Sequence, residues 1–532
     1  MPGKSAESPV SDRFWAVSPL DFRYYGADKP LFERLHQYVS EEAYIKYQLE
    51  VEATLARMLS DPRWPLCKRE DSEEIVKACK QVTVSEVYEE EQRVHHIVRA
   101  LVNCIQRKVS SRAQPYVHLF ATSNDITDTA NALRLKDLTI NIIMPDLVEL
   151  EQLLISLVRK YSEVPQIGRT HGKHAEPITF GFALAVYVSR LSERIERIVE
   201  SAKNLRGKFS GSVGAYNALS LLDPIDPALF EKHLLGKLGL KPSDGSISTQ
   251  IVEPEYVTDL TYAIISCFSV LANLADDIRH LHRTEIAEVQ QIYQVQDVGS
   301  STMPHKVNPR NFEHVKSMWK MTMPRIITVF MDQISEHQRD LTNSASGRFI
   351  TELFVAFDYS VTRLTSALKK IQVNEIKMRS NLEESKDRII AEPLYILLAM
   401  KGFPEAYNHV RELVAESEDK HKPLADLISS DPTILPILSK LRPDQLEILK
   451  DPTRYVGASS QRALAVADNA EAKMTMILAP YVQGVVDDSS LARLRDKSRP
   501  SYSFIGTFPN ELVAASDSRQ HHFTSKSRTD FS

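Results

Sequence analysis

The stretch DVGSSTMPHKVNPRNFE, residues 297–313, breaks a long helical pattern. Residues 255–298 contain neither Gly nor Pro. Then come Gly299, Ser300, Ser301, a His-Lys pair behind a proline, and Asn308-Pro309. After Pro309 the helical pattern returns. Glycine before two serines permits a tight backbone path, and successive N–H groups there can form an anion-binding concavity. Lys306 adds a full positive charge and Asn308 a side-chain amide. A serine hydroxyl in such a field can lose its proton. The same residue types also suit a plain solvated linker. By itself the stretch leaves both readings open.

On both sides of this stretch the chain reads as mainly α. It has 532 residues but only 17 glycines. Residues 178–206 are interrupted only by Gly181, and Leu184, Val188, Leu191, Ile195 and Ile198 fall on one helical stripe. Uninterrupted patterns also cover 125–144, 147–163, 325–346 and 348–391. The run 255–298 predicts a helix of about 60 Å at 1.5 Å per residue. Helices of such length need neighbours along their whole surface, which implies a large bundle and partner subunits. Strand signals are few; GRTHGKHAEPITFG, residues 168–181, has room for a short extended piece. The expected domains are a helical N-terminal region (1–123), a long-helix bundle (124–370) and a shorter-helix region punctuated by prolines (371–480). A polar tail (481–532) has the composition of a disordered segment.

Composition narrows the function classes. The chain is 43% hydrophobic and 25% charged, with a formal net charge of -5. That balance argues against nucleic-acid binding through bulk charge. The most apolar segment, within 258–281, is broken by aspartates and an arginine, so no membrane span is expected. The four cysteines are far apart and form no C-x-x-C pair. They read as reduced thiols of a cytoplasmic protein.

Several other segments have chemical potential. His171 and His174 lie in a Gly-bounded turn before a long helix, and His exchanges protons near neutral pH. Two His three apart can ligate a metal, but no third ligand accompanies them. RVHHIVRAL holds His95 and His96. Thr122 and Ser123, in ATSNDITDTANAL, read equally well as a helix N-cap. In QRDLTNSASGR, Ser344 and Arg348 share a helix face that Arg339 can approach. Two arginines and a hydroxyl can clamp a phosphate or carboxylate, or be an ordinary charged face.

The order and spacing of these segments resemble the fumarase/aspartase superfamily of elimination lyases, and within it the adenylosuccinate lyase family. GSSTMPHKVNP matches the superfamily loop G-S-S-x-M-P-x-K-x-N-P at every fixed position. SPLDFRYYG, ATSNDITDTANAL, GRTHGKHAEPITFG, GSVGAYNA, ISTQIVEP, QRDLTNSASGR and RYVGASSQRA extend the likeness over about residues 18–468. The resemblance implies a three-domain fold whose long helices build a homotetramer with shared active sites. It implies elimination of fumarate from a succinyl-nucleotide without a cofactor. Ser300 is then the general base and His171 the general acid. Lys306 and Asn308 face a substrate carboxylate, and Thr122 and Ser123 hold a succinyl carboxylate. Arg339, Ser344 and Arg348 hold the nucleotide phosphate; Arg23, Tyr24, His95, His96 and Gln250 complete the site. One position departs: Ile97 stands where the family reads aspartate. Isoleucine cannot accept a hydrogen bond, which leaves open a different N-succinyl substrate. A scaffold relative without activity is the third reading, disfavoured by the intact loop.

Overall fold

The computed structural model describes residues 16–222, 226–292, 301–303 and 305–482. Residues 1–477 form one compact unit and 478–532 a second, of which 478–482 are described and helical. The expected disordered tail therefore lies almost wholly outside the described residues.

The Phe180–Lys203 helix follows from its sequence. Thr179 caps it, accepting from Phe182 N, and the five residues of the expected stripe are all buried. This helix packs between Met144–Lys160 and Glu255–Leu281. Ser344–Leu368 closes the bundle against Met144–Lys160, and Arg310–Thr322 packs on Glu255–Leu281. Phe268 and Phe357 meet edge to face at 5.4 Å inside it. Each such side chain contributes about 1.5–3 kcal/mol on burial. Among the described residues, Glu255–Leu281 alone is long and apolar enough to cross a membrane. Most of that apolar stretch is instead buried within this bundle.

The remaining helices differ from expectation in length. The 255–298 helix stops at Leu281. Beyond it Val289–Gln291 (β3) pairs antiparallel with Ile371–Val373 (β4). The same pairing divides the expected 348–391 helix into Ser344–Leu368, β4 and Glu375–Ile389. The 325–346 helix is shorter too, ending at Met331 before a loop that leads to Ser344. Freedom from Gly and Pro permits a helix but does not compel one. β-branched residues that find a strand partner leave it. Conversely, the two patterns 125–144 and 147–163 form one rod: Ser123–Leu138, a π-helical turn Thr139–Ile143, and Met144–Lys160. Pro145 lacks the N–H that would reach residue 141, and the wide turn just before it absorbs the loss.

The extended piece near His171 is a β-hairpin. Pro165–Thr170 (β1) pairs antiparallel with Lys173–Thr179 (β2). The two linking residues, His171 (φ 52°) and Gly172 (φ 73°), are both left-handed. That is the geometry of a type I′ turn, in which glycine at the second position avoids a Cβ penalty. All four cysteines are buried and free.

Candidate active site

A cavity of about 670 Å³ opens beside the N-terminus of the 123–138 helix. It gathers His96, Ser123, Arg339, Ser344 and Arg348 onto one surface, together with Ile97. His96 caps the Ile97–Gln106 helix, its Nδ1 accepting from Arg99 N at 3.3 Å. The proton of the neutral ring is then on Nε2, 3.4 Å from Ser123 Oγ, to which it donates. Ser344 begins a 25-residue helix and Arg348 lies one turn on. Arg339 reaches the same edge, donating from Nη1 to Asn343 Oδ1 at 2.8 Å. Two guanidinium groups beside the positive end of a helix make a site for an anion such as phosphate.

The cavity also has an acidic wall. Asp128 accepts from Asn124 Nδ2 and from Val252 N, both at 3.1 Å. Burial pushes its carboxyl up to about 6, against the opposing pull of the Val252 N–H and the Lys208 and Arg339 charges. Arg134, buried six residues further along the same helix, also belongs to the lining, its guanidinium 5.4 Å from the Tyr44 ring centre. Neither Asp128 nor Arg134 stood out in the sequence. The signal was there: Asn124, Asp128 and Asn131 recur at helical spacing in SNDITDTAN.

The other expected site residues that the structure describes are not part of this lining. His95 ends the preceding helix in left-handed geometry (φ 54°), its N–H on Glu91 O at 2.7 Å. Thr122 caps the 123–138 helix, its N–H donating to Asp125 Oδ2 at 2.8 Å. Gln250 N donates to Gln338 O at 3.1 Å, which joins ISTQ to the loop bearing Arg339. Tyr24 packs on His314 and Tyr359, with ring centres 5.4 and 5.3 Å away. Burial, with Arg363 and Arg23 nearby, pushes His314 down to about 4. Lys306 is exposed, and Asn308 leads straight into the 310–322 helix. Ser300 lies outside the described residues, as do Gly299 and Pro304.

His171 sits exposed at the tip of the β1–β2 hairpin, away from the cavity lining. The base of that hairpin is held by Glu288, a fully buried carboxylate just ahead of β3. It accepts from Gln166 Nε2 (2.7 Å), Arg169 Nη2 (2.6 Å) and Asn381 Nδ2 (2.8 Å). One residue thus ties the hairpin of His171 to the strand that leads toward the Ser300 loop and to the 375–389 helix.

Residues 23–323 match the family model described as Lyase, and residues 335–451 the one described as Adenylosuccinate lyase C-terminal. The chain belongs to the fumarase/aspartase superfamily of lyases. This lyase is 34% identical to an adenylosuccinate lyase of Pyrococcus abyssi, over 84% of its own length and 96% of the relative's. It is 29% identical to an N-acetyl-S-(2-succino)cysteine lyase of Enterococcus italicus, over 80% and 91% of the two chains. A fumarate lyase structure from Mesorhizobium sp. BNC1 superposes with a TM-score of 0.70 at 22% identity, covering 83% of this lyase and 97% of that chain. The superposition establishes a shared fold.

Proposed function

We propose that the protein is an adenylosuccinate lyase, releasing fumarate from adenylosuccinate to leave AMP and from SAICAR to leave AICAR. The observation that carries this reading is the cationic corner of Arg339, Ser344 and Arg348 in the same cavity as His96 and Ser123. A nucleotide has a phosphate for that corner; a bare dicarboxylate does not. The chemistry follows from the resemblance. Ser300 takes a proton from the succinyl carbon beside a carboxylate, and the electron pair moves into that carboxylate. Lys306, Asn308 and the N–H groups of the loop stabilise the resulting dianion. The C–N bond then breaks, and His171 protonates the leaving nitrogen. Thr122 and Ser123 hold the second succinyl carboxylate, while Arg23, Tyr24, His95 and Gln250 complete the substrate envelope.

The proposal includes a homotetramer whose sites combine residues from different chains. Two features support it. The cavity of one chain does not include His171. Ile327, Phe330, Met331, Ile334, Leu341 and Phe349 form an exposed apolar row along the 325–349 segment, which a second copy would cover. Four reduced, buried thiols suit a cytoplasmic setting.

Ile97 favours a second reading. It lines the cavity where the family has aspartate, and a relative of comparable extent is named for a succinylated thiol. A lyase for another succinyl compound would keep the loop and the hairpin and change this wall. Fumarate release by the purified protein is the test, with adenylosuccinate, SAICAR, argininosuccinate, aspartate and an S-succinyl thiol as substrates. Turnover of the first two is expected. Turnover of only another member of the panel would replace the reading, and no fumarate from any would return the scaffold alternative.

A further inference from the structure

The cavity is uneven in what it offers a substrate. On one side, Ile97 presents hydrocarbon where a donor group of a nucleoside needs an acceptor. On the other, the 123–138 helix turns a polar face inward: Ser123, Asn124, Thr127, Asp128 and Asn131 all line the space. Of these Asp128 has the carboxylate; Glu41, Glu91, Glu253 and Asp332 line the same cavity from other segments. We infer that Asp128 is the specificity residue for the nucleoside part of the substrate, accepting a ribose hydroxyl or base N–H in place of the acceptor that position 97 lacks. The inference rests on the nucleotide reading above.

Three observations support it. First, Asp128 is held in place and still has capacity. Its Oδ1 is engaged by Asn124 and its Oδ2 by Val252 N, each at 3.1 Å. A carboxylate has about four acceptor directions, so roughly two remain for a ligand. Second, its position suits the task. Asp128 is five residues beyond Ser123, about 7.5 Å along the helix axis. Ser123 touches His96, the immediate neighbour of Ile97. Both positions therefore lie within one nucleoside length of the same point. Third, Asp128 shares the cavity with Arg339, Ser344 and Arg348, so a ligand seated on the phosphate corner lies in the same space as this carboxylate. Arg339, on the phosphate corner, is the ligand-facing cation that acts on Asp128 across the cavity, while Lys208 acts from the protein side.

The test is a four-variant cycle: wild type, Asp128→Ala, Ile97→Asp, and the double variant, with Asp128→Asn as an isosteric control. Steady-state fumarate release from adenylosuccinate is measured, with thermal unfolding of each protein. Wild-type turnover of adenylosuccinate comes first; without it the nucleotide reading fails, and this inference with it. With it, Asp128→Ala should raise KM at least tenfold, while kcat falls far less. Ile97→Asp added to Asp128→Ala should bring KM back to within about threefold of wild type. A purely structural Asp128 would not be rescued by a new carboxylate on a different helix. Unchanged KM in Asp128→Ala, or an elevated KM that Ile97→Asp leaves in place, overturns the inference while the nucleotide reading stands. If Asp128→Ala does not fold, the same two criteria apply to Asp128→Asn with and without Ile97→Asp.

Discussion

Glu288 offers the sharpest test of how the hairpin is held. Replacement by alanine removes the acceptor of Gln166, Arg169 and Asn381 at once. The Arg169 side chain is only 17% exposed, so its guanidinium would be left largely dry and unpaired. Breaking one side of a buried pair costs about 3–5 kcal/mol. The Gln166 amide left without an acceptor adds about 1–3 kcal/mol, while Asn381 Nδ2 keeps Ile286 O at 2.8 Å. The contacts share one site and do not add in full. A net loss of about 4–6 kcal/mol is expected. Glu288→Gln keeps one oxygen but turns an N–H₂ toward other donors, and should lose about half as much. Urea unfolding followed by far-UV circular dichroism reads both. Because the hairpin presents His171, kcat should fall with stability, even under conditions where the variant is fully folded. Arg169→Met in the Glu288→Ala background should recover part of the loss, since the stranded charge is gone. A Glu288→Ala variant within about 1 kcal/mol of wild type would refute the account, because a carboxylate with three partners cannot then be the anchor.

Two other sites give separate expectations. Glu151 is fully buried, with one oxygen on Ser192 and the other without a hydrogen-bond partner. Burial pushes its carboxyl up to about 8, only partly offset by Ser192 and Lys473. The folded state thus holds a proton that the unfolded chain releases near pH 4.3. Stability from this group is complete below that pH and is lost as pH rises through about 8. Glu151→Gln should flatten this dependence and be the more stable protein at pH 9; parallel melting curves at pH 6 and 9 for the two proteins would contradict it. At Gly181, an added Cβ would fall 2.6 Å from Val158 O and 2.7 Å from the Ser162 backbone. Backbone cannot rotate away, so Gly181→Ala should cost at least about 1–3 kcal/mol, read by the same urea titration; an unaltered midpoint would mean that the end of the 144–160 helix gives way freely.

The parts of this molecule that were legible in sequence are those governed by local pattern. The stripe from Leu184 to Ile198 specifies a helix because burial of one face is a sufficient reason to form it. The end of the 255–281 helix was not legible, because it depends on a partner more than eighty residues away. Val289 and Gln291 leave the helical pattern to pair with Val373 and Ile371. The same distinction applies to the site. His96, Ser123, Arg339, Ser344 and Arg348 converge as their order suggests. Asp128 escaped notice because a polar residue inside a helix normally faces water, and only the tertiary fold turns this face into a cavity. Glu288 escaped for the opposite reason: its three partners come from residues 166, 169 and 381, and no spacing rule links them.

The π-helical turn at Thr139–Ile143 has a consequence for how such a protein can change over generations. It makes one rod out of two helices while setting their rotational phases separately. An inserted residue advances the face by about 100°. Before the turn, the rod lines the cavity with residues 123, 124, 127, 128 and 131. After it, Leu147, Leu150 and Leu154 are committed to the core. The turn works as a clutch between the two. Descendants can rewrite the reading face and try new leaving groups, while the half of the rod that holds the bundle together is never asked to repack.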